Sequence, residues 1–513
     1  MTPLVLAIDQ GTTSTKVAAV DATGRIVARV SRPTAVFRDG DGRVEARPGD
    51  WWAAVAGLIG ELGGEVPPAA VRSVAICGFM HTLVPFGRAG PYDDVAVPLP
   101  GDRRPGVDEA AFAGVGSAGG RAALARFAAW AAGRNLDLAT AVTVKDYLRA
   151  KLTDAVPAAA RRASRRAAHR DGGVVATDRY DGAGCGLLVA GTGEPESSAV
   201  ALLRSLGGEP PPMLGPAEVA GTVSARAARL TGLPAGIPVA VGTGDWAATC
   251  LGIGAVLPGR GCLYLGTSAA YGGFPDEAAL REVAPPRCAT VAVGGGALLG
   301  WAGRLLFGPP PGETTAHSVS GVRGEPTTWG EAAAVRALLD AAERGRPGTG
   351  GARFVPGFAL AAGPRERGLG RGELRGLGPD VSREDAARAV VEGVAMGLRR
   401  CLAPHLTGDL TVCGGGARDP RWVQVLADVL GRPVTVAGEP DAASTGLGVL
   451  AWRALGKEAD RSAPAPALTV EPRPAATGHY ADRYAEFTSA LVSGLPGLSS
   501  GRSANDSADL LRG

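Results

Sequence analysis

The segment VLAIDQGTTSTKVAAVD, residues 5–21, places an acid, a glycine, a cluster of small hydroxyl residues and a lysine between two apolar runs. An ordinary β-hairpin needs roughly two to five turn residues and no carboxylate at the strand end. The pattern returns in GCLYLGTSAAYGG, residues 261–273, where an apolar run meets Gly266, Thr267 and Ser268 before a second apolar run. Two such hairpins so far apart predict an internal duplication, each half owning a β-sheet, with a cleft between them. The length agrees: 513 residues exceed the usual single domain and predict two large ones.

The hairpin chemistry can be read from residue types. Gly11 lets the backbone approach a ligand closely, and backbone N–H groups with the hydroxyls of Thr12 and Thr13 can wrap a phosphate. Asp9 could then hold magnesium through water, because that ion keeps much of its hydration shell. Lys16 either adds a cation to the phosphate or makes a salt bridge at the hairpin exit. No Walker A sequence is present and no G-x-G-x-x-G follows an apolar strand, as the dinucleotide fingerprint requires, so the P-loop and Rossmann readings fail.

Two further segments carry signals. In VGTGDWAATCLGIGA, 241–255, Asp245 follows a buried strand and a Gly-x-Gly turn and precedes a small-residue helix. It can cap that helix, accept a proton from a substrate hydroxyl, or do both. In LTVCGGG, 410–416, a strand runs into three glycines, and Asp419, Pro420, Gly431 and Pro433 bracket a helix over 420–430. Strand, glycines and helix form a nucleotide cradle in general outline. Strands are also expected at 4–9, 17–21, 71–77 and 235–245, and helical spacing at 107–133 and 143–152. Ser382 with Asp385 resembles a capping box opening an apolar stripe from Ala387 to Cys401.

Composition narrows the function. The net charge of +3 gives no reason to expect nucleic acid or an acidic membrane as partner. Seven cysteines without Cys-x-x-Cys spacing suggest reduced cytosolic thiols rather than zinc or disulfides, hence a cytoplasmic protein. No secretory signal or membrane-spanning run is read. The Arg/Ala-rich stretch 158–173 reads as a solvated helix or mobile insert, and the Ser/Gly-rich tail after 495 as disordered.

These motifs together resemble the FGGY family of carbohydrate kinases, with its actin-like fold. AIDQGTTSTK (7–16) and YLGTSA (264–269) resemble its two phosphate motifs, VAVGTGDWAA (239–248) its catalytic-base segment, and CGGGARDPRWVQVLADVLGRPV (413–434) with DAASTGLGVLAWRALG (441–456) its adenosine motif. The resemblance covers nearly the whole chain. It implies an α/β protein of two actin-like ATPase (ribonuclease H-like) domains with an interdomain catalytic cleft: 1–243 sugar-binding, 244–495 ATP-binding, then the tail 496–513. It also implies transfer of the ATP γ-phosphate, with Mg2+, to a sugar hydroxyl. By this match Asp245 is the catalytic base and also meets the sugar. Asp9 serves the metal, and Gly11, Thr12, Thr13, Lys16, Gly266, Thr267, Gly414, Gly415, Gly416 and Arg418 serve the nucleotide.

Within the family, CGFMHTLVPF (77–86), VTVKDYLRAKLT (142–153) and ATDRYDGAGC (176–185) are most similar to xylulokinases, which implies sugar contacts for Met80, His81 and Asp178 and a structural Lys145. Three stretches depart from the family pattern: VPLPGDRR (97–104), with Asp102 and Arg103 as candidate equivalents of an Asp-x-Arg pair, AAGPRERG (361–368), and the 158–173 insert. D-Xylulose is the expected substrate and gluconate the competitor. A non-catalytic sugar or nucleotide sensor is the reading from another class. The sequence does not give the oligomeric state and leaves a homodimer open.

Overall fold

The structure is a computed structural model and describes residues 2–157, 173–254, 260–266, 269–273, 287–292, 295–308, 331–357, 372–403, 406, 408–439, 441–457 and 468–493. Residues 158–172 of the 158–173 insert, Thr267, the 361–368 stretch and the tail 496–513 lie outside the described residues.

Leu4–Gln10 is buried along its whole length, so its near-continuous apolar run is that of a strand covered on both faces. It pairs antiparallel with Ser14–Val20, Asp9 opposite Lys16, and parallel with Val71–Gly78, Asp9 opposite Cys77. The full order across the sheet is Val219–Thr222, Pro238–Ala240, Val71–Gly78, Leu4–Gln10, Ser14–Val20 and Ile26–Pro33. The two-residue strand Thr243–Gly244 extends it, pairing with Cys77 and Gly78.

A second sheet repeats the plan: Arg287–Ala292, Ala269–Gly273, Arg260–Leu265, Asp409–Cys413, Val434–Val436 and Leu468–Val470. Here Arg260–Leu265 pairs antiparallel with the following strand and parallel with Asp409–Cys413. The expected duplication is therefore a duplication of topology. In both sheets the chain's third, second, first and fourth strands lie side by side, followed by a parallel strand and an antiparallel edge strand. Only the chain order of the last two is exchanged.

Local signals placed the C-terminal helices well. Pro420–Leu430 begins at Asp419, whose carboxylate accepts the Arg421 N–H at 3.0 Å, and ends at Gly431 in the left-handed region with φ 66. Arg383–Leu402 carries the full reciprocal capping box between Ser382 and Asp385. The 107–133 expectation shortens to Ala118–Ala131, because Ser117 accepts the Gly120 N–H and so starts the helix there. In the 143–152 region the helix is Val144–Thr153.

The halves meet through two helices, Asp245–Gly252 and Ala442–Ala454, which cross at glycines. A Cβ on Gly252 would lie 1.8 Å from the Ala442 carbonyl oxygen, and one on Gly446 would lie 1.9 Å from that of Ala248. Ala442–Ala454 also covers the rear of the N-terminal sheet. Leu447, Leu450, Ala451 and Trp452 share one buried cluster with Val5, Ala7, Val20 and Ala75. Trp452 Nε1 donates to the Asp21 carbonyl at 2.8 Å, and Ser73 Oγ donates to that of Ala451 at 2.7 Å. No helix among the described residues is long and apolar enough to cross a membrane.

Candidate active site

Asp9 lies near the end of the central strand, where Cys77 Sγ donates to its Oδ1 at 3.3 Å. Lys16, directly opposite, donates to Asp9 Oδ2 at 3.0 Å and reaches Asp441 of the other half at 3.6 Å. Of the two readings of Lys16, the salt bridge is the one seen here. Burial works against its charge, but Asp9 and Asp441 outweigh that and hold the ammonium firmly protonated. Next to it, Gln10 is fully buried and fixes the loop. It accepts from Thr15 Oγ1 at 2.8 Å and donates to the Gly11 carbonyl at 3.0 Å and to Thr34 Oγ1 at 3.2 Å. Gln10 escaped the sequence reading because nothing local distinguishes it. The loop itself closes when the Gly11 N–H donates to the Ser14 carbonyl at 2.9 Å, leaving the side chains of Thr12 and Thr13 exposed.

Asp245 is the first residue of its helix, and Gly244 is the N-cap, so Asp245 does not cap in the usual sense. Its Oδ1 instead accepts its neighbour's Trp246 N–H at 2.8 Å. Burial and then the negative charge of Asp9 push its carboxyl up to about 7, against the opposing pull of the Trp246 N–H and Lys16. The structure thus brings Asp9, from the first strand, and Asp245, from a helix much later in the chain, into one electrostatic site.

Met80 and His81 arrive at the same place. The Met80 sulfur lies 3.0 Å from where a Cβ on Gly244 would stand, and its methyl 2.0 Å from one on Gly184. The thioether thus packs against two glycines, one of them next to Asp245 in the chain. His81 has φ 66, and its Nδ1 is 2.8 Å from the Gly184 carbonyl.

Asp178 has another place. It is 0% exposed and N-caps the helix Arg179–Gly184, accepting from the N–H groups of Tyr180 and Asp181. Thr243 Oγ1 donates to it at 2.9 Å, and Lys145 Nζ lies 3.0 Å from its other oxygen. The hydroxyl contacts expected of Asp178 find no exposed oxygen. Lys145 is structural as expected, bridging Asp178 and Asp146 (2.6 Å). Nearby Asp181 is pushed well above the usual carboxyl range by burial and by the charges of Asp178 and Asp146, despite Lys145. These pairings join segments over thirty residues apart, which local motifs do not reveal.

The Asp-x-Arg equivalence also resolves. Arg104, not Arg103, is the buried partner, 2.7 Å from both Asp102 and Glu45. Arg103 is exposed. The i, i+2 spacing was in the sequence and was read one residue short.

On the C-terminal side, Gly414 has φ 89, and a Cβ there would meet the Leu265 carbonyl oxygen and the Tyr264 ring at 2.9 Å. A Cβ on Gly266 would lie 2.4 Å from the opposite edge of that ring. A Cβ on Gly416 would press on Leu265 at 3.0 Å, whereas Gly415 and Arg418 face solvent. The two glycine loops therefore close around Tyr264, a residue the motif reading passed over.

Comparison with known proteins agrees with this geometry. The N-terminal domain of the FGGY family of carbohydrate kinases matches residues 4–90, and its C-terminal domain matches 290–455. A xylulose kinase of Streptomyces coelicolor is 31% identical over 458 residues, 85% of this chain and 84% of that protein. Among solved structures, a xylulose kinase from Rhodospirillum rubrum superposes with a TM-score of 0.73 at 23% identity, covering 96% of this chain and 98% of that one. A gluconate kinase from Lactobacillus acidophilus superposes with a TM-score of 0.71 at 18% identity, covering 95% and 97%. These two likenesses speak for the shared two-domain, actin-like fold. The chain belongs to the FGGY family of carbohydrate kinases and is an ATP-dependent sugar kinase.

Proposed function

We propose that this kinase phosphorylates the terminal hydroxyl of a ketopentose, D-xylulose first. The observation that carries the reading is that Met80 packs against Gly184 and against Gly244, the residue before Asp245, while His81 Nδ1 holds the Gly184 carbonyl. The likeness to the Streptomyces coelicolor xylulose kinase supports the sugar. Such a site offers the sugar an apolar face, a hydrogen-bonding ring and a base. Polar groups held this rigidly discriminate strongly against analogues lacking a hydroxyl.

In this reading Asp245 accepts the proton of the attacking hydroxyl. Its carboxyl titrates at about 7, so it is both substantially ionised and basic enough near neutral pH. The phosphates lie between the Gly11–Thr13 loop and Gly266, with Thr267 as a further donor. Lys16 keeps positive charge beside them, and the loops at Gly414–Gly416 flank the nucleoside, with Arg418 at their exposed edge. Preformed donors aimed at the transferring phosphoryl group stabilise its transition state without reorganisation.

Magnesium fits this donor set. Asp9 and Asp245 are two carboxylates close enough for one to raise the other's pKa, and a nearby cation would relieve that repulsion. Magnesium keeps several waters and is usually bound through one or two carboxylates plus substrate phosphates, so two acids are a sufficient protein share. Asp9 would be its protein anchor, and the ion would supply charge neutralisation on the phosphates.

The domain limits 1–243 and 244–495 follow the same logic. Asp245 then opens the second unit while its carboxylate serves the first. A kinase assay over D-xylulose, L-ribulose, gluconate, glycerol and L-fuculose tests the substrate. D-Xylulose is expected to show the highest kcat/KM. Gluconate ahead by tenfold or more, or no ketopentose turnover, overturns the assignment.

A further inference from the structure

Arg126 lies on the helix Ala118–Ala131 and is 7% exposed. A buried guanidinium is normally matched by a carboxylate, since an isolated charge is costly to remove from water. No acid lies within ion-pairing distance of Arg126 among the described residues. Its hydrogen bond runs from NH2 to the carbonyl oxygen of His81 at 2.8 Å, and its Nε is buried without a partner. The residue it holds is strained: His81 has φ 66, a left-handed conformation that a side chain with a Cβ adopts only when its surroundings impose it.

The imidazole is fixed on two further sides. A carbonyl can only accept, so the 2.8 Å contact to Gly184 places the proton on Nδ1. In the neutral ring Nε2 is then the lone-pair edge. The ring also lies so close to the same helix that a Cβ on Gly119 would stand 2.1 Å from Cε1.

We propose that Arg126 is a positioning residue for the sugar site: by gripping the His81 carbonyl it fixes the backbone and ring so that Nε2 accepts a hydrogen bond from a substrate hydroxyl. This rests on the reading of His81 as a sugar contact. Burial and the Arg126 charge hold the ring below the usual imidazole pKa, against the Gly184 carbonyl. In the neighbouring 178–185 segment, Cys185 and Asp181 are both pushed upward by burial, and the Asp178 carboxylate is taken up by Lys145 and Thr243. Arg126 therefore also protects the acceptor form from protonation.

The test measures kcat, sugar KM and ATP KM from about pH 5.5 to 8.5 for wild type, Arg126→Met and Arg126→Lys. The sugar is whichever one the wild-type panel ranks first, so failure of the ketopentose reading shows in the wild type alone. Arg126→Met should raise sugar KM about tenfold at pH 8, leaving kcat within about threefold and ATP KM unchanged. The pH below which sugar KM climbs should move upward, and Arg126→Lys should return it toward wild type. An unchanged sugar KM overturns the proposal, as does a joint loss in kcat and both KM values with the pH dependence unmoved. Should Arg126→Met not fold, Gly119→Ala displaces the ring while keeping the charge. It should raise sugar KM without moving the pH dependence, and an unchanged KM again overturns the proposal.

Discussion

The two sheets are built to one plan, yet their hairpins carry different side chains. Two residues before the loop glycine, the N-terminal half has Asp9 and the C-terminal half has Tyr264. The neighbours correspond too: Asp9 pairs across a parallel ladder with Cys77, and Tyr264 with Cys413. Across the antiparallel ladder Asp9 faces Lys16, whereas Tyr264 faces Ala270. One half thus holds a carboxylate–ammonium pair at the cleft, and the other an aromatic ring wedged between two glycines. An acid–base pair suits phosphate and metal, and an aromatic ring suits a nucleoside. A duplicated scaffold has been divided into a charged side and an apolar side by changing side chains at matched positions.

The largest expected effect lies on the charged side. Asp245→Asn should lower kcat by roughly 100-fold or more while ATP binding persists, measured by steady-state turnover and nucleotide titration. Turnover near wild type would remove Asp245 from the mechanism. Folding raises the Asp245 pKa, so its contribution to stability is present at pH below the unfolded value and is lost as pH rises through about 7. The Tm of Asp245→Asn should accordingly gain on wild type between pH 5 and 8.

A middle-sized effect separates the two hairpins. In wild type, kcat/KM should rise with pH through an apparent pKa of about 7 as Asp245 ionises. Removing the Asp9 charge lowers that pKa, so Asp9→Asn should move the rise to lower pH and cut kcat about tenfold or more at saturating substrate. Tyr264→Phe, at the matched position, should leave the pH dependence in place. A shift in both variants, or in neither, would erase the division between the halves.

The smallest effect concerns the seam between them. Gly446→Ala must displace the Ala248 carbonyl, now 1.9 Å from where the new Cβ would sit. Overpacking of this kind costs about 1–3 kcal/mol. Calorimetry should show a lowered Tm, with sugar KM changed less than about threefold. An unchanged Tm would mean the two helices part easily.

Features set by neighbours in sequence were legible. Asp419, Pro420 and Gly431 bracketed their helix, Ser382 and Asp385 formed their box, and the two hairpins announced the duplication. Features set by distant partners were not. Asp178 reads as a sugar contact in ATDRYDGAGC until Lys145 and Thr243 arrive from other elements. Arg126 is one arginine among many in an Ala-rich helix until it meets the His81 carbonyl. Gln10 and Tyr264 sit inside recognised motifs, but their partners lie across a turn or on a neighbouring strand. Residue type and spacing carried the chemistry of the loops, while burial and long-range pairing decided which side chains remain free to use it.

The helix Ala442–Ala454 closes the rear of a sheet whose central strand is Leu4–Gln10. A ribosome making roughly 5–20 residues per second completes the strand Val71–Gly78 some 20–80 s before that helix emerges. Throughout that interval the apolar rear face formed by Val5, Ala7, Val20 and Ala75 lacks its final cover. The nascent N-terminal half is thus a natural client for chaperones. An N-terminal fragment made alone should aggregate, and one co-expressed with the C-terminal half should be rescued by it.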